Sequence, residues 1–184
     1  MKRNWLSIAL VGLLIALVVG CTQPYRITQE LQGPIHNEVG CSVGVIGDEL
    51  PIDVETDKKP TEEQIEKFRS YLEKQLSGSD LFSGVGVTPA GGAEAHGYEV
   101  SGGIIEYKRG SGFIRFLIAF GVGDAKLTVR LALVDRENGQ TVFEANFKRV
   151  VSDWMQSGDK TFEMVAKDFV SALKKEMKRI NKNG

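Results

Sequence analysis

The spacing of hydrophobic residues predicts one helix in the middle of the chain and a longer one at its end. Thr61 precedes the first helix and Gln64 stands three residues later, which is the spacing of an N-terminal capping box. Apolar residues then mark one buried helix face at Ile65, Phe68, Leu72 and Leu76. The last helix carries a similar stripe at Phe162, Val165, Ala166, Phe169, Val170, Leu173, Met177 and Ile180.

Strict alternation between the two helices predicts a β-hairpin. From Lys126 to Asp135 every second residue is aliphatic, so one face of this strand should be buried and the other exposed to water. Asn138 and Gly139 tolerate the positive φ angles of a tight turn. The strand that follows the turn places its apolar residues on one face, at Phe143, Ala145 and Phe147.

Further strands complete the predicted fold. One is expected from Tyr98 to Tyr107, where Gly102 and Gly103 shift the apolar positions to the other parity, from Tyr98 and Val100 to Ile105 and Tyr107, and so indicate a bulge. Shorter apolar runs, at 41–46 and 85–87, indicate two more. This order of elements predicts an α+β domain with a small, mostly antiparallel sheet and two helices packed on one of its faces.

The N-terminal residues have the pattern of an export signal. Lys2 and Arg3 are followed by an apolar stretch from Trp5 to Gly20. This stretch is shorter than the roughly 20 apolar residues that a membrane-spanning helix requires. Residues 1–20 are therefore predicted to be a signal peptide.

The end of the signal resembles the lipobox of bacterial lipoproteins. The matching residues are Leu17-Val18-Val19-Gly20-Cys21, with Val18 where that motif prefers Leu. The resemblance implies cleavage before Cys21, diacylglycerol on its thiol and a further acyl chain, such as palmitate, on the new amino group. Because Thr22 and not Asp follows the cysteine, it also implies an outer-membrane location facing the periplasm.

Residues 22–40 are predicted to connect the lipid to the domain as a tether. They contain Pro24, Gly33 and Pro34 and show no sustained periodicity. A flexible chain of this length would let the domain lie roughly 25 Å from the bilayer. Residues 41–184 would then form the folded α+β domain.

Composition and charge exclude some classes of protein. The chain is 42% hydrophobic and 26% charged, as is usual for a folded domain. Its formal net charge is −1, without the basic excess that nucleic-acid binding requires, so no nucleic-acid partner is expected. If Cys21 carries lipid, Cys41 has no partner within the chain and is expected to be a small buried residue; a reactive thiol or an intermolecular disulfide is the alternative.

The sequence offers no convincing catalytic pattern. His36 lies in the predicted tether and His96 in a glycine-rich loop, so neither a Cys-His pair nor a metal cluster is expected. Ser157-Gly-Asp-Lys160 lacks the companion motifs of Ser-x-x-Lys enzymes, and Gly121-Val-Gly123 lacks the third glycine of a dinucleotide-binding loop. We therefore expect no enzymatic activity, no cofactor and no metal.

One apolar segment is left unexplained by local rules. It neither alternates as a half-buried strand does nor repeats as an amphipathic helix does. Its large side chains are Phe113, Ile114, Phe116, Leu117, Ile118 and Phe120. Burial in the core and a surface for self-association or membrane contact are both open interpretations.

Around this segment the chain resembles an uncharacterised family of bacterial lipoproteins, domain of unknown function 4410. In that family an Arg precedes a Gly-x-Gly-x-Ala-x-Leu run, followed by a strand that ends in an acidic residue and a turn that ends in Gly. The matching residues here are Arg115, Gly121, Gly123, Ala125, Leu127, Asp135 and Gly139. The resemblance covers about residues 41–180 and implies an α+β domain similar to those of other envelope-assembly lipoproteins, without known catalytic residues.

These features predict a membrane-anchored envelope lipoprotein with a non-enzymatic role. It would contact the membrane through the lipid on Cys21, and its domain would bind other envelope proteins or its own copies. The alternative is an accessory or oligomeric component of an outer-membrane secretion channel of the curli type. In that case the segment from Phe113 to Gly123 would insert or oligomerise.

Overall fold

A computed structural model describes residues 24–51, 59–87, 97–108, 125–151 and 159–183 of the chain. Within these ranges six strands form one sheet and two helices pack against it. The strands are β1 (Tyr25–Gln29), β2 (Cys41–Asp48), β3 (Val85–Val87), β4 (Tyr98–Lys108), β5 (Ala125–Asp135) and β6 (Gln140–Val151). The helices are α1 (Glu62–Ser77) and α2 (Asp159–Asn183).

The predicted capping box begins helix α1. Thr61 Oγ1 accepts a hydrogen bond from the Gln64 amide at 3.3 Å, and Gln64 Oε1 accepts one from the Thr61 amide at 3.0 Å. These two bonds satisfy amide groups that have no partner within the first turn of a helix. Phe68, Leu72 and Leu76 are buried, as their spacing predicts.

Aromatic side chains pack both helices on the same face of the sheet. Phe169 of α2 lies against Phe143 and Phe147 of β6, with ring centroids 6.1 and 5.7 Å apart. Phe162 of α2 meets Phe68 of α1 at 5.3 Å. Because the helices contact each other as well as the sheet, they cover one face of it, and the α+β class is confirmed.

The sheet is mixed, and the prediction of a mostly antiparallel sheet is wrong. The strand order is β1-β6-β5-β4-β2-β3. The pairs β1–β6, β6–β5 and β5–β4 are antiparallel, whereas β2 runs parallel to both of its neighbours, β4 and β3. Helix α1 connects β2 to β3, and such a crossover allows consecutive strands to run in the same direction. Alternation along a strand indicates its buried face but not the direction of its neighbour.

The tether predicted for residues 22–40 is wrong from Tyr25 onward. β1 pairs with β6 and places Tyr25 opposite Phe147. Beyond this strand, Leu31 and Ile35 are each only 5% exposed and belong to the main core. The folded domain therefore includes most of the predicted tether, and its first strand begins four residues after Cys21.

β4 contains a bulge, but it lies two residues beyond Gly103, not at the predicted Gly102-Gly103. The register between β4 and β5 shifts between Ile104 and Glu106, so Ile105 is the extra residue. Ile104 is fully buried, whereas Ile105 is 37% exposed. The parity of the strand changes at Ile105 because a bulge adds one residue to one strand of a pair.

Leu31→Ala tests whether the region after β1 belongs to the core. The substitution should lower the free energy of unfolding by about 2–5 kcal/mol, because it leaves a cavity among packed side chains. Val45→Ala is the matched control, since Val45 is 56% exposed, and should cost less than about 1 kcal/mol. Urea unfolding measures both. If both substitutions lowered the free energy of unfolding by equally small amounts, the predicted tether would be supported instead.

Gly102→Ala tests the close approach of β4 and β5. A Cβ atom at Gly102 would lie 2.0 Å from the carbonyl oxygen of Arg130, so one backbone must move. We expect a loss of about 1–3 kcal/mol in the free energy of unfolding. Gly86→Ala is the control, because a Cβ there meets nothing within 4 Å. Unfolding midpoints that fall equally in both variants would contradict the steric explanation.

Candidate functional site

The predicted lipidation site and the predicted interaction segment lie outside the described residues. The first is Cys21, and the second comprises Phe113, Ile114, Phe116, Leu117, Ile118 and Phe120. The strands that flank them are described, however. Those strands determine where Cys21 and the interaction segment are connected to the domain.

Four strand termini meet at one end of the sheet, which we call the anchor end. Here the start of β1 lies beside the last part of β6, the end of β6 beside the start of β5, and the start of β5 beside the end of β4. The register pairs are Tyr25 with Phe147, Val151 with Ala125, and Lys126 with Lys108. The chain therefore passes from Cys21 into the fold at the same end where residues 109–124 join β4 to β5.

Only a short stretch of chain separates Cys21 from the anchor end. Pro24 follows three residues later, at most about 11 Å away along a fully extended backbone. The Pro24 carbonyl accepts a hydrogen bond from the Lys148 amide at 2.8 Å, so Pro24 is already attached to β6. A lipid on Cys21 would hold the anchor end at the bilayer surface, not roughly 25 Å from it as a long tether would.

A shallow groove of about 470 Å³ lies on the sheet at the anchor end, and we call it the β1–β6 groove. It is lined by Pro24, Tyr25, Arg26, Thr128, Asn146, Lys148, Arg149 and Val150. Asn146 and Lys148 flank the buried Phe147 in the strand, so they point away from the helices. The groove therefore opens on the face of the sheet opposite to α1 and α2.

Positive charge dominates this groove. Arg26 and Lys148 are exposed, and neither forms an ion pair with a residue in the described ranges. On the neighbouring strands, Glu106 pairs with Lys126 and accepts a hydrogen bond from Thr128 Oγ1 at 3.0 Å. Burial alone would raise the pKa of Glu106, but these bonds and the nearby cations hold that pKa below its usual value. Glu106 is thus ionised, with Lys126 as its ion-pair partner and Lys148 as a more distant cation that also lowers its pKa. Arg26 and Lys148 form no ion pair of their own among the described residues.

On the opposite face of β6, Arg149 attaches the sheet to α2. Its Nε and Nη2 atoms each donate a hydrogen bond of 2.5 Å to a carboxylate oxygen of Asp168. Asp168 is buried, and a two-pronged contact of this kind is among the stronger ion pairs in proteins. The pair joins α2 to the end of β6.

The described residues bring together no group that suggests catalysis. Nowhere among them do three or more His, Cys, Asp or Glu side chains lie close enough to hold a metal ion. His36 is exposed, and its Nδ1 lies 3.6 Å from Oε1 of Glu38. His96 and Ser157 lie outside the described ranges. No helix in those ranges is both long and apolar enough to cross a bilayer.

Cys41 is buried at the start of β2, as predicted for a thiol without a partner. Burial, assisted by the negative charge of Glu99, raises the pKa of its thiol to about 12. Only the thiolate is a good nucleophile, so this environment makes Cys41 unreactive.

A family model for a domain of unknown function, DUF4410, matches residues 48–152, more than half of the chain. The chain belongs to the DUF4410 family. This confirms the resemblance seen in the sequence, over a shorter range than the predicted 41–180. The matched range includes α1 and strands β3 to β6, so β1 and α2 lie outside the part of the DUF4410 domain that the family model matches.

Solved structures of two other proteins share the fold of this DUF4410 chain. PelC from Paraburkholderia phytofirmans, described as a dodecamer, gives TM-scores of 0.58 and 0.57 in two crystal forms, with 17% identity over 81% of this chain and 95% of that one. A Xanthomonas campestris protein of the DUF330 family gives 0.52, with 9% identity over 85% and 95%. At these identities the likeness concerns the fold. No curated protein matches the sequence.

Slow alkylation of Cys41 is expected in the native domain. In a Cys21→Ser background, iodoacetamide at pH 8 should label Cys41 quickly only after denaturation, because the raised pKa lowers the thiolate fraction by roughly a thousandfold. The control adds Val45→Cys to a chain lacking both native cysteines, and its exposed thiol should react in the native state. Intact mass spectrometry follows both. Rapid native labelling of Cys41 would place it at the surface.

Proposed function

We propose that this chain is a lipid-anchored, non-enzymatic protein of the bacterial envelope whose domain lies directly on the membrane and assembles with its own copies. The observation that carries this proposal is the short distance in sequence between Cys21 and β1. The lipid itself is supported by the charged start, the apolar stretch and the lipobox-like residues 17–21. Thr22, directly after the cysteine, favours the outer membrane, with the domain facing the periplasm.

The short connection favours self-assembly for a geometric reason. Several acyl chains hold a protein firmly at a bilayer, because each buried methylene contributes about 0.8 kcal/mol. Copies held by the same end lie in one plane and in one orientation, which raises their effective concentration toward each other. A head-to-tail contact repeated among such copies closes into a ring when the rotation between neighbours allows it.

The shared fold with PelC gives independent support for assembly. PelC is described as a dodecamer, so a protein of this fold can form an oligomer of twelve subunits.

The apolar segment from Phe113 to Phe120 has a place in the same proposal. It belongs to the chain that joins β4 to β5 at the anchor end, where the bilayer and neighbouring copies would be closest. We assign to it membrane contact or contact between copies. Large apolar segments at such surfaces commonly serve one of these purposes.

Cys21→Ser tests the anchor. The variant should remain an unprocessed precursor without acyl chains, because the thiol accepts the lipid and cleavage in lipoproteins follows lipidation. The wild type should incorporate labelled palmitate and fractionate with membranes after washing in high salt. Palmitate incorporation that persists in the variant would remove the lipoprotein assignment.

Phe116→Asp and Leu117→Asp test assembly through the apolar segment. In the detergent-solubilised full chain, each should abolish the oligomer measured by light scattering and leave the thermal unfolding midpoint near that of the wild type. Phe116→Leu keeps an apolar side chain and should still assemble. A wild type that is monomeric would contradict self-assembly. Collapse of the fold in the Asp variants would assign the segment to the core, because a buried unpaired carboxylate costs several kcal/mol.

A further inference from the structure

We propose that the β1–β6 groove binds the phosphate of anionic phospholipids in the membrane to which the chain is anchored. This inference rests on the proposed lipid at Cys21, which determines which end of the domain meets the bilayer. It adds a second, non-covalent contact with the membrane. That contact would favour anionic phospholipids over lipids without net charge.

The two unpaired cations of the groove are placed to share one phosphate. Arg26 stands opposite Asn146 in the pairing of β1 with β6, and Lys148 is two residues further along β6 on the same face. Such diagonal positions have Cβ atoms roughly 7–8 Å apart, within reach of long side chains that converge on one group. An arginine can donate two parallel hydrogen bonds to phosphate oxygens, and a lysine adds a point charge.

The position of the groove matches the depth of the lipid headgroups. Pro24 lines the groove and is three residues from Cys21, whose diacylglyceryl group would lie among the glycerol groups of neighbouring lipids. Phosphates of those lipids lie at nearly the same level. Lys108, exposed at the end of β4, adds positive charge at the same end of the sheet.

The other basic region of the domain lies at the opposite end. Arg179, near the end of α2, forms an ion pair of 3.1 Å with Glu30, just beyond the last residue of β1. The exposed Lys175 and Lys178 neighbour it on the same helix. This basic region is therefore directed away from the membrane. Lys175 and Lys178 provide a matched control for the removal of two positive charges.

Native mass spectrometry of the mature full-length protein, in a neutral detergent, tests the proposal. Phosphatidylglycerol and phosphatidylcholine with identical acyl chains are added in equal amounts, and the retained lipid is counted. We expect preferential retention of phosphatidylglycerol. The pair Arg26→Gln and Lys148→Gln should reduce this retention about 30-fold, since each cation close to an anionic lipid surface contributes roughly fivefold in affinity. The pair Lys175→Gln and Lys178→Gln should leave it unchanged.

The same spectra separate failure of the groove from failure of the anchor, because the intact mass reports the acyl chains on Cys21. Equal retention of the two lipids, or equal loss in both double variants, would overturn the proposal. Displacement of the lipid by an equal concentration of inorganic phosphate would assign the groove to free phosphate instead. If the double variant at the groove unfolds, Lys148→Gln alone replaces it, with an expected loss of about fivefold.

Discussion

The packing of α2 on β6 is the contact on which the rest of the domain depends. Phe169 meets Phe143 and Phe147 of the strand, and Phe162 extends the same cluster to Phe68 of α1. Each buried ring contributes about 1.5–3 kcal/mol, and contacts between rings add about 0.5–1.5 kcal/mol. Because both helices share this cluster, a loss of α2 would also leave α1 without much of its support.

The two faces of β6 have different roles: one stabilises the fold and the other forms the groove. The residues of β6 that face the helices, such as Phe147 and Arg149, belong to the core or fix α2. Asn146 and Lys148, which alternate with them, line the groove on the other face, to which Arg149 also contributes at its edge. Substitutions on the groove side can therefore change binding with little effect on stability. The same feature makes the variants at Lys148 interpretable.

Much of the fold could be predicted from the sequence wherever local chemistry specifies an element. The capping box at Thr61 and the turn at Gly139, where φ is +70°, are examples. β1 was not predicted, because its alternation is short: only two apolar residues, Tyr25 and Ile27, alternate with polar ones. The groove could not be predicted either. Arg26 and Lys148 are distant in sequence, and only the β1–β6 register brings them together.

The register of β1 also sets an order of events during folding. The hydrogen bond from Thr28 Oγ1 to Glu144 Oε1 joins residues 116 positions apart, so the first strand to be synthesised must wait for the sixth. Contacts over such separations form late compared with the local hairpin of β5 and β6, because a long loop must close first. β1 is thus expected to join the sheet after the hairpin of β5 and β6 has formed. If Cys21 is lipidated as we propose, the modifying enzyme would meet a chain whose first strand has not yet joined the sheet.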